Sequence, residues 1–388
     1  MKDPAGSRRF GVPRRWHGST RTDNRRLISM TDGMQETSKP GAAPRAAHPW
    51  VTAGHDRIRF GVGQISPLDD WPAYLEVVRL TEELGFDSYW TYDHPSRGAE
   101  CWTSLAAAAM ATTKIRVGTI PSCIFYRSPV VLARAAADVD RISNGRLVLG
   151  LGIGDDAPEC AAMGLVFPGV RERLQAMEET VQILEGVWGE QPFTFLGTQL
   201  QVTGVRVAPG PLQRPHVPLM ICGGGERVTL RQVAQYGDVS NFAAHAWAGG
   251  AFTLDDVRRK YETLRRHCDA AGRPYESILR TYLDIPVVLA RTHAALQAKL
   301  DAIPAGVRTH FQSSTLAATP DEAISHFRDL ADAGVQYFVV ALYGHDTETV
   351  RLLGQEVLPR VTGAPLQEVG SRQRGRLWFM RGAKKVSA

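Results

Sequence analysis

The chain has 388 residues, 44% of them apolar and 22% charged, an ordinary globular composition with length enough for a deep core. Its formal charge of +5 comes from the two ends: residues 1–57 carry 11 Lys/Arg against 5 Asp/Glu, and residues 362–388 carry 6 against 1. The body between them is mildly acidic, which argues against a specific nucleic-acid face, and no run approaches the ~18 apolar residues of a membrane span.

In chain order, residues 1–57 mix Arg, Gly, Pro, Ser and Thr without periodicity and read as a disordered, basic N-terminal extension. Its paired arginines precede no apolar segment, so a signal peptide is rejected; Met30 and Met34 are alternative starts behind a dispensable leader. From Ile58 onward, short β-branched runs alternate with longer amphipathic stretches. Strands are predicted near 58–62, 86–90, 115–119, 146–151, 217–221, 238–242, 279–289 and 335–340. Helices fall near 71–84, 101–111, 129–141, 171–188, 226–236, 253–271, 293–302, 320–333 and 347–358. Asp321 and Glu322 just inside one helix, with Gly334 just past its end, match helix polarity.

This alternation predicts an α/β chain folded as a (β/α)₈ TIM barrel with an insertion between helix 4 and strand 5. An open doubly wound sheet is the rival, but no GxGxxG follows the first strand. The barrel domain spans 58–361. The insertion, 190–216, stands where barrel enzymes carry lids. The tail 362–388 ends in RGRLWFMRGAKK, either a frayed terminus or a basic amphipathic contact with a membrane or partner. Five scattered cysteines, with no CxxC pair and no His/Cys cluster of ligand spacing, point to a cytoplasmic protein without disulfides or metal.

In such a barrel, chemistry sits on the loops after the strands. Those loops hold Asp93-His94, then Thr119 to Cys123, then Gly150 to Asp156, and Cys222 to Arg227. His94 is of the residue type that most often gives or takes a proton in catalysis and a neighbouring carboxylate can orient it, although an Asp-His pair also serves simply as a turn. Gly223, Gly224 and Gly225 open directly into a helix, offering bare backbone N–H groups to a phosphate; the alternative is a tight turn. Trp102, Phe125, Tyr126, Phe242, His245, Trp247, Tyr282 and His310 are further pocket candidates by position, as are Cys123 and Cys222.

The segments ELGFDSYWTYDHP (83–95), IRVGT (115–119), RSPVVLARAAADVDRISNGRLVLGLGIG (127–154), RERLQAMEETVQILEGVW (171–188) and PHVPLMICGGGERVTLRQVAQYGD (215–238) together resemble the luciferase-like monooxygenase superfamily. They are most similar to its F420-dependent oxidoreductase branch, and the resemblance covers roughly 58–361. It implies coenzyme F420, with FMN as the alternative, and hydride transfer to or from a small organic substrate. It also implies His94 and Asp93 as catalytic residues and a non-prolyl cis peptide at Thr119–Ile120 behind the ring. Ser122 would meet the ring's polar edge, Gly152, Gly154 and Asp155 its side, and Gly223 to Arg227, Glu226 included, its phosphate. An oxygen-using FMN monooxygenase and a non-catalytic flavin-binding protein are the rival functions; a homodimer is compatible with the family. Asp155-Asp156, with Glu159 after them, stands where relatives often carry Trp or Asn followed by a Glu further on, which makes this pocket wall more acidic.

Overall fold

The computed structural model describes residues 45–53, 57–65 and 70–363. Eight strands alternate with helices: β1 (Arg59–Ile65), α1 (Trp71–Glu83), β2 (Ser88–Thr91), α2 (Cys101–Ala111), β3 (Arg116–Thr119), α3 (Pro129–Ile142), β4 (Leu147–Gly152) and α4 (Val170–Val187). The second half continues with β5 (Leu219–Cys222), α5 (Thr229–Tyr236), β6 (Val239–Ala243), α6 (Leu254–Ala270), β7 (Leu279–Asp284), α7 (Pro320–Asp332), β8 (Tyr337–Tyr343) and α8 (Thr347–Leu352). Each strand pairs in parallel with its neighbours. Val117 opposite Leu147 joins β3 to β4, and Arg59 opposite Tyr337 through Ile65 opposite Tyr343 joins β8 to β1, which closes the barrel. Among the described residues, no helix is long and apolar enough to cross a membrane.

Alternation along the strands builds two cores. In β8, Phe338, Val340 and Leu342 join the layer under the helices, while Tyr337, Val339 and Ala341 fill the barrel interior. The largest interior side chain is Trp90. A Cβ at Gly118 would lie 2.4 Å from its ring and one at Gly61 2.4 Å from its Nε1, so glycine in the two flanking strands makes room for the indole. The helices start on the expected caps: Asp70 accepts from Ala73 N–H at 3.0 Å, and Thr253/Asp256 and Thr319/Glu322 form capping boxes.

Several boundaries differ from the sequence reading. The folded body begins before residue 58: Pro49–Thr52 is a short helix with Trp50 and Val51 buried, closing the N-terminal end of the barrel. Trp50 meets Tyr337 edge-on and lies under the Arg59 and Arg116 guanidinium groups at 5.0 and 4.8 Å. Arg45 forks onto buried Asp238 at 3.2 and 3.1 Å. The rest of the N-terminal extension before Arg45, and the basic tail from residue 364, lie outside the described residues.

The predicted strand 279–289 breaks at Ile285, and Val287–Leu289 pairs instead with Leu316–Ala318 outside the barrel. The predicted helix at 226 begins three residues later, and the last helix runs on through a π-turn to Thr362. Residues 190–216 form an antiparallel hairpin, Phe193–Leu196 with Gln201–Val205, not a lid. A helix-to-strand connection lies at the end of a barrel opposite its mouth, and Gln213 accordingly donates to the Leu147 carbonyl at the start of β4, 2.8 Å away. The element over the mouth is one that periodicity missed, the helix Ala305–His310 in the excursion between β7 and α7.

Replacing Trp50 by Ala is expected to cost about 3 kcal/mol of stability in urea unfolding, as for a buried aromatic truncation; a loss below about 1 kcal/mol would show that this segment is no part of the core.

Candidate active site

The strand C-termini and the Ala305–His310 cap enclose a cavity of about 460 Å³. Apolar strand ends supply Ile65, Ile120, Leu283 and Ile285, and β4 presents backbone at Gly152 and Gly154. A Cβ at Gly152 would come within 2.5 Å of the Pro121 ring, so only glycine lets the β4 end lie this close to the β3 loop.

His94 and Asp93 both border this cavity, but they do not form a dyad. Asp93 is buried and accepts from Arg127 Nη1 and Nη2 at 2.6 and 3.0 Å, from Ser122 Oγ at 2.9 Å and from Cys123 N–H at 3.1 Å. Arg127 also reaches Glu100, the N-cap of α2. Asp93 therefore ties the loops after β2 and β3 together. The carboxylate that meets His94 is Glu159, whose Oε2 lies 2.5 Å from Nδ1. Glu159 also accepts from Ser96 N–H at 3.2 Å, Ser96 Oγ at 2.5 Å and Tyr126 Oη at 3.0 Å. Burial alone would raise its pKa, but the bonds from Ser96, His94 and Tyr126 outweigh it and hold the carboxyl down to about 2. A carboxylate only accepts, so His94 Nδ1 carries a hydrogen and Nε2 is the atom free to take or give a proton.

Glu159 stands in the first turn of the short helix Ala157–Ala162, capped by Asp156, whose carboxylate accepts from Glu159 N–H at 2.8 Å. The spacing of Asp156 and Glu159 marks a helix start in the sequence, but nothing local reveals a partner 65 residues earlier.

Of the other expected cofactor residues, Ile120, Gly152, Gly154, Asp155 and Gly223 border the cavity, whereas Thr119, Ser122, Gly224, Gly225, Glu226 and Arg227 do not. Thr119 is a buried clamp between β3 and β4: its Oγ1 donates to the Gly150 carbonyl at 2.7 Å and accepts from Gly150 N–H at 3.0 Å. Ser122 turns away to Asp93. The cis bond at the β3 mouth falls at Ile120–Pro121, one residue beyond Thr119–Ile120; a prolyl bond adopts cis at far smaller cost than a non-prolyl one.

The triple glycine is shaped by its neighbours. Gly223, with φ of 126°, donates to the Asn241 carbonyl at 2.8 Å, and the buried Lys260 ammonium donates to the Gly224 carbonyl at 2.8 Å. Glu226 pairs with Arg259 at 3.1 Å. Lys260 carries no motif signal in the sequence.

Tyr126, Trp247 and His310 reach the cavity, as do Cys123 and Cys222, while Trp102, Phe125, Phe242, His245 and Tyr282 do not line it. Burial raises the Cys123 thiol to about 12 and the Cys222 thiol further, so both stay protonated and neither is a nucleophile at neutral pH.

A family model described as luciferase-like monooxygenase matches residues 49–358. An F420-dependent glucose-6-phosphate dehydrogenase of Amycolatopsis mediterranei (strain U-32) is 27% identical over 320 residues, which is 74% of this chain and 93% of that protein. The pyrimidine monooxygenase RutA of Variovorax paradoxus (strain S110) is 30% identical over 291 residues, 72% of this chain and 74% of that one. Among solved structures, the coenzyme F420-dependent tetrahydromethanopterin reductase from Methanopyrus kandleri superposes with a TM-score of 0.66 at 19% identity, over 79% of this chain and 100% of that chain. That likeness bears on the barrel alone.

The depressed Glu159 pKa has a pH consequence. Its ionised form contributes stability that is fully present above the ordinary value of 4.5 and is lost as pH falls through about 2. Urea unfolding of the native chain should weaken on acidification across that window by an increment absent in Glu159→Gln; identical pH profiles would refute the assignment.

Proposed function

Because this chain belongs to the luciferase-like monooxygenase family, we propose that it is an F420-dependent oxidoreductase exchanging a hydride with a small organic substrate, with His94 moving the accompanying proton. The observation that carries this reading is the His94–Glu159 pair on the wall of an otherwise apolar strand-end cavity.

The residues present fit a deazaflavin. A cavity of about 460 Å³ is of the size that holds a cofactor ring. Ile120, Pro121, Gly152 and Gly154 would lie against the ring system; Gly223 borders the cavity with its own N–H spent on Asn241, so the phosphate would extend past it to the remaining N–H groups of the turn ahead of α5. When bound, such a cofactor supplies a carbon that gives or receives two electrons as hydride. The chain supplies the rest. Glu159 fixes the tautomer and ring plane of His94, Nε2 exchanges a proton with the substrate heteroatom, and the cap keeps water from the cavity. The relative named for F420-dependent dehydrogenation is covered over 93% of its length, which supports this branch. The 30% identity to RutA favours a second reading, FMN-dependent oxygenation at the same site.

Titration should give an F420 affinity at least about tenfold above that for FMN; the reverse order would move the protein to the monooxygenase reading. His94→Ala should lower turnover by about 10²-fold or more with cofactor affinity unchanged, and undiminished turnover would remove His94 from the chemistry.

A further inference from the structure

The cavity has a second wall, built by the excursion between β7 and α7 and by the loop after β6. Val307, His310 and Phe311 face the cavity from the cap, with Trp247 beside them from the β6 loop. These groups hold one another in place. His245 Nε2 lies 2.8 Å from the His310 carbonyl, and the His245 ring sits 4.5 Å from Trp247 and 5.2 Å from His310. His310 and Phe311 meet edge-on at 4.6 Å. Below the cap, Ser314 Oγ donates to the Ile285 carbonyl at 2.6 Å. The ring wall is thus preformed, and Tyr92, just past β2, and Tyr343, at the end of β8, contribute two more rings.

The charges around the cavity are nearly all engaged. Arg97 is the one permanent cation among the described lining residues, and it is ion-paired with Asp156. His94 is engaged by Glu159 and Asp93 by Arg127. Arg173, behind the β4 end, spends Nη1 on the Ile153 and Gly154 carbonyls. Burial, the nearby His245 and Arg97 lower the pKa of His310 and favour its neutral form. Asp155, by contrast, stands exposed at the rim with no hydrogen-bond or ion-pair partner among the described residues. A phosphate dianion entering on this side would meet no unengaged permanent cation and one carboxylate, and it would lose its hydration without compensation. A flat apolar molecule would find ring faces and edges at stacking distance.

Resting on the hydride-transfer reading above for its reaction, we propose that the cap side of the cavity is a substrate subsite for a neutral, ring-bearing organic molecule, with Trp247 and Phe311 as its specificity determinants. Sugar phosphates are excluded, so the substrate in the name of the dehydrogenase relatives does not carry over to this chain.

The test is calorimetric titration of the full chain with 2-naphthol and with glucose 6-phosphate. It is run both with the cofactor that binds (F420 or FMN) and without cofactor, so that failure of the cofactor reading and failure of the subsite register separately. In the cofactor-loaded protein, 2-naphthol should bind at least about tenfold more tightly than glucose 6-phosphate. Trp247→Ala and Phe311→Ala should each weaken 2-naphthol at least about fivefold while cofactor affinity stays within about twofold. Trp247 is an exposed loop residue, so its variant remains foldable even where the Phe311 variant is compromised. Glucose 6-phosphate binding as tightly as 2-naphthol, or a Trp247 variant with native 2-naphthol affinity, would overturn the proposal. If neither cofactor binds, the cofactor-free arm decides by the same criteria, with inorganic phosphate added to occupy the glycine turn.

Discussion

The ion pair between Asp93 and Arg127 is the constraint on which the geometry of the mouth depends. The carboxylate is fully buried and takes both guanidinium prongs together with Ser122 Oγ and Cys123 N–H. It thereby joins the end of β2 to the loop after β3 and, through Arg127 and Glu100, to the start of α2. Leaving one partner of such a pair alone in the interior costs about 3–5 kcal/mol, so the arrangement is all-or-none. Its consequence for chemistry lies in the next residue. With the Asp93 carboxylate committed to Arg127, Ser122 and Cys123, His94 takes its carboxylate from Glu159 instead, so the adjacent Asp-His pair of the sequence is not a dyad.

The interior below the mouth is filled to the opposite end. Trp90 occupies the barrel axis because Gly61 and Gly118 leave it room, and Trp50 closes the base against Tyr337 and the cationic faces of Arg59 and Arg116. At Asp238, the start of β6, burial is outweighed by His216 and Arg45, which hold its carboxyl at about 2. A filled axis confines the ligand cavity to the C-terminal rim, where the chain offers loops of eight different strands.

How much of this was legible follows from the range of each interaction. Strand and helix identity is written locally, in alternation and in 3.6-residue spacing, and these placed the eight barrel strands and the helices between them to within a few residues. The Pro49–Thr52 helix leaves no such signal, because one turn has no periodicity and its neighbours are rich in Ala, Gly and Pro; only Trp50 hints at burial. Ala305–His310 is likewise short, contains Gly306 and follows Pro304, which reads as a loop. The hairpin at 190–216 reads as an insertion in the sequence, but the expectation of a lid puts it at the wrong end, although its place after a helix and before a strand fixes the end by topology alone. Glu159 and Arg127 were visible as residues but not as partners, because their contacts span 65 and 34 residues. Of the glycine run, only Gly223 reaches the cavity.

The remaining glycines connect the two ends of the cavity. A Cβ at Gly249 would lie 2.2 Å from the Gly224 nitrogen and 2.3 Å from its Cα, so the loops after β5 and β6 touch backbone to backbone. Gly249, with φ of 103°, also sits in a conformation other residues rarely adopt. The β6 loop that ends at this contact begins with His245 and Trp247, the residues that hold the cap. The glycine turn is thus in backbone contact with the same loop that carries the two rings. Lys260, drawn below its ordinary pKa by burial yet donating to the Gly224 carbonyl, fastens the same junction from α6. The glycine turn and the ring-lined cap are thus parts of one packed assembly on the rim that also carries His94.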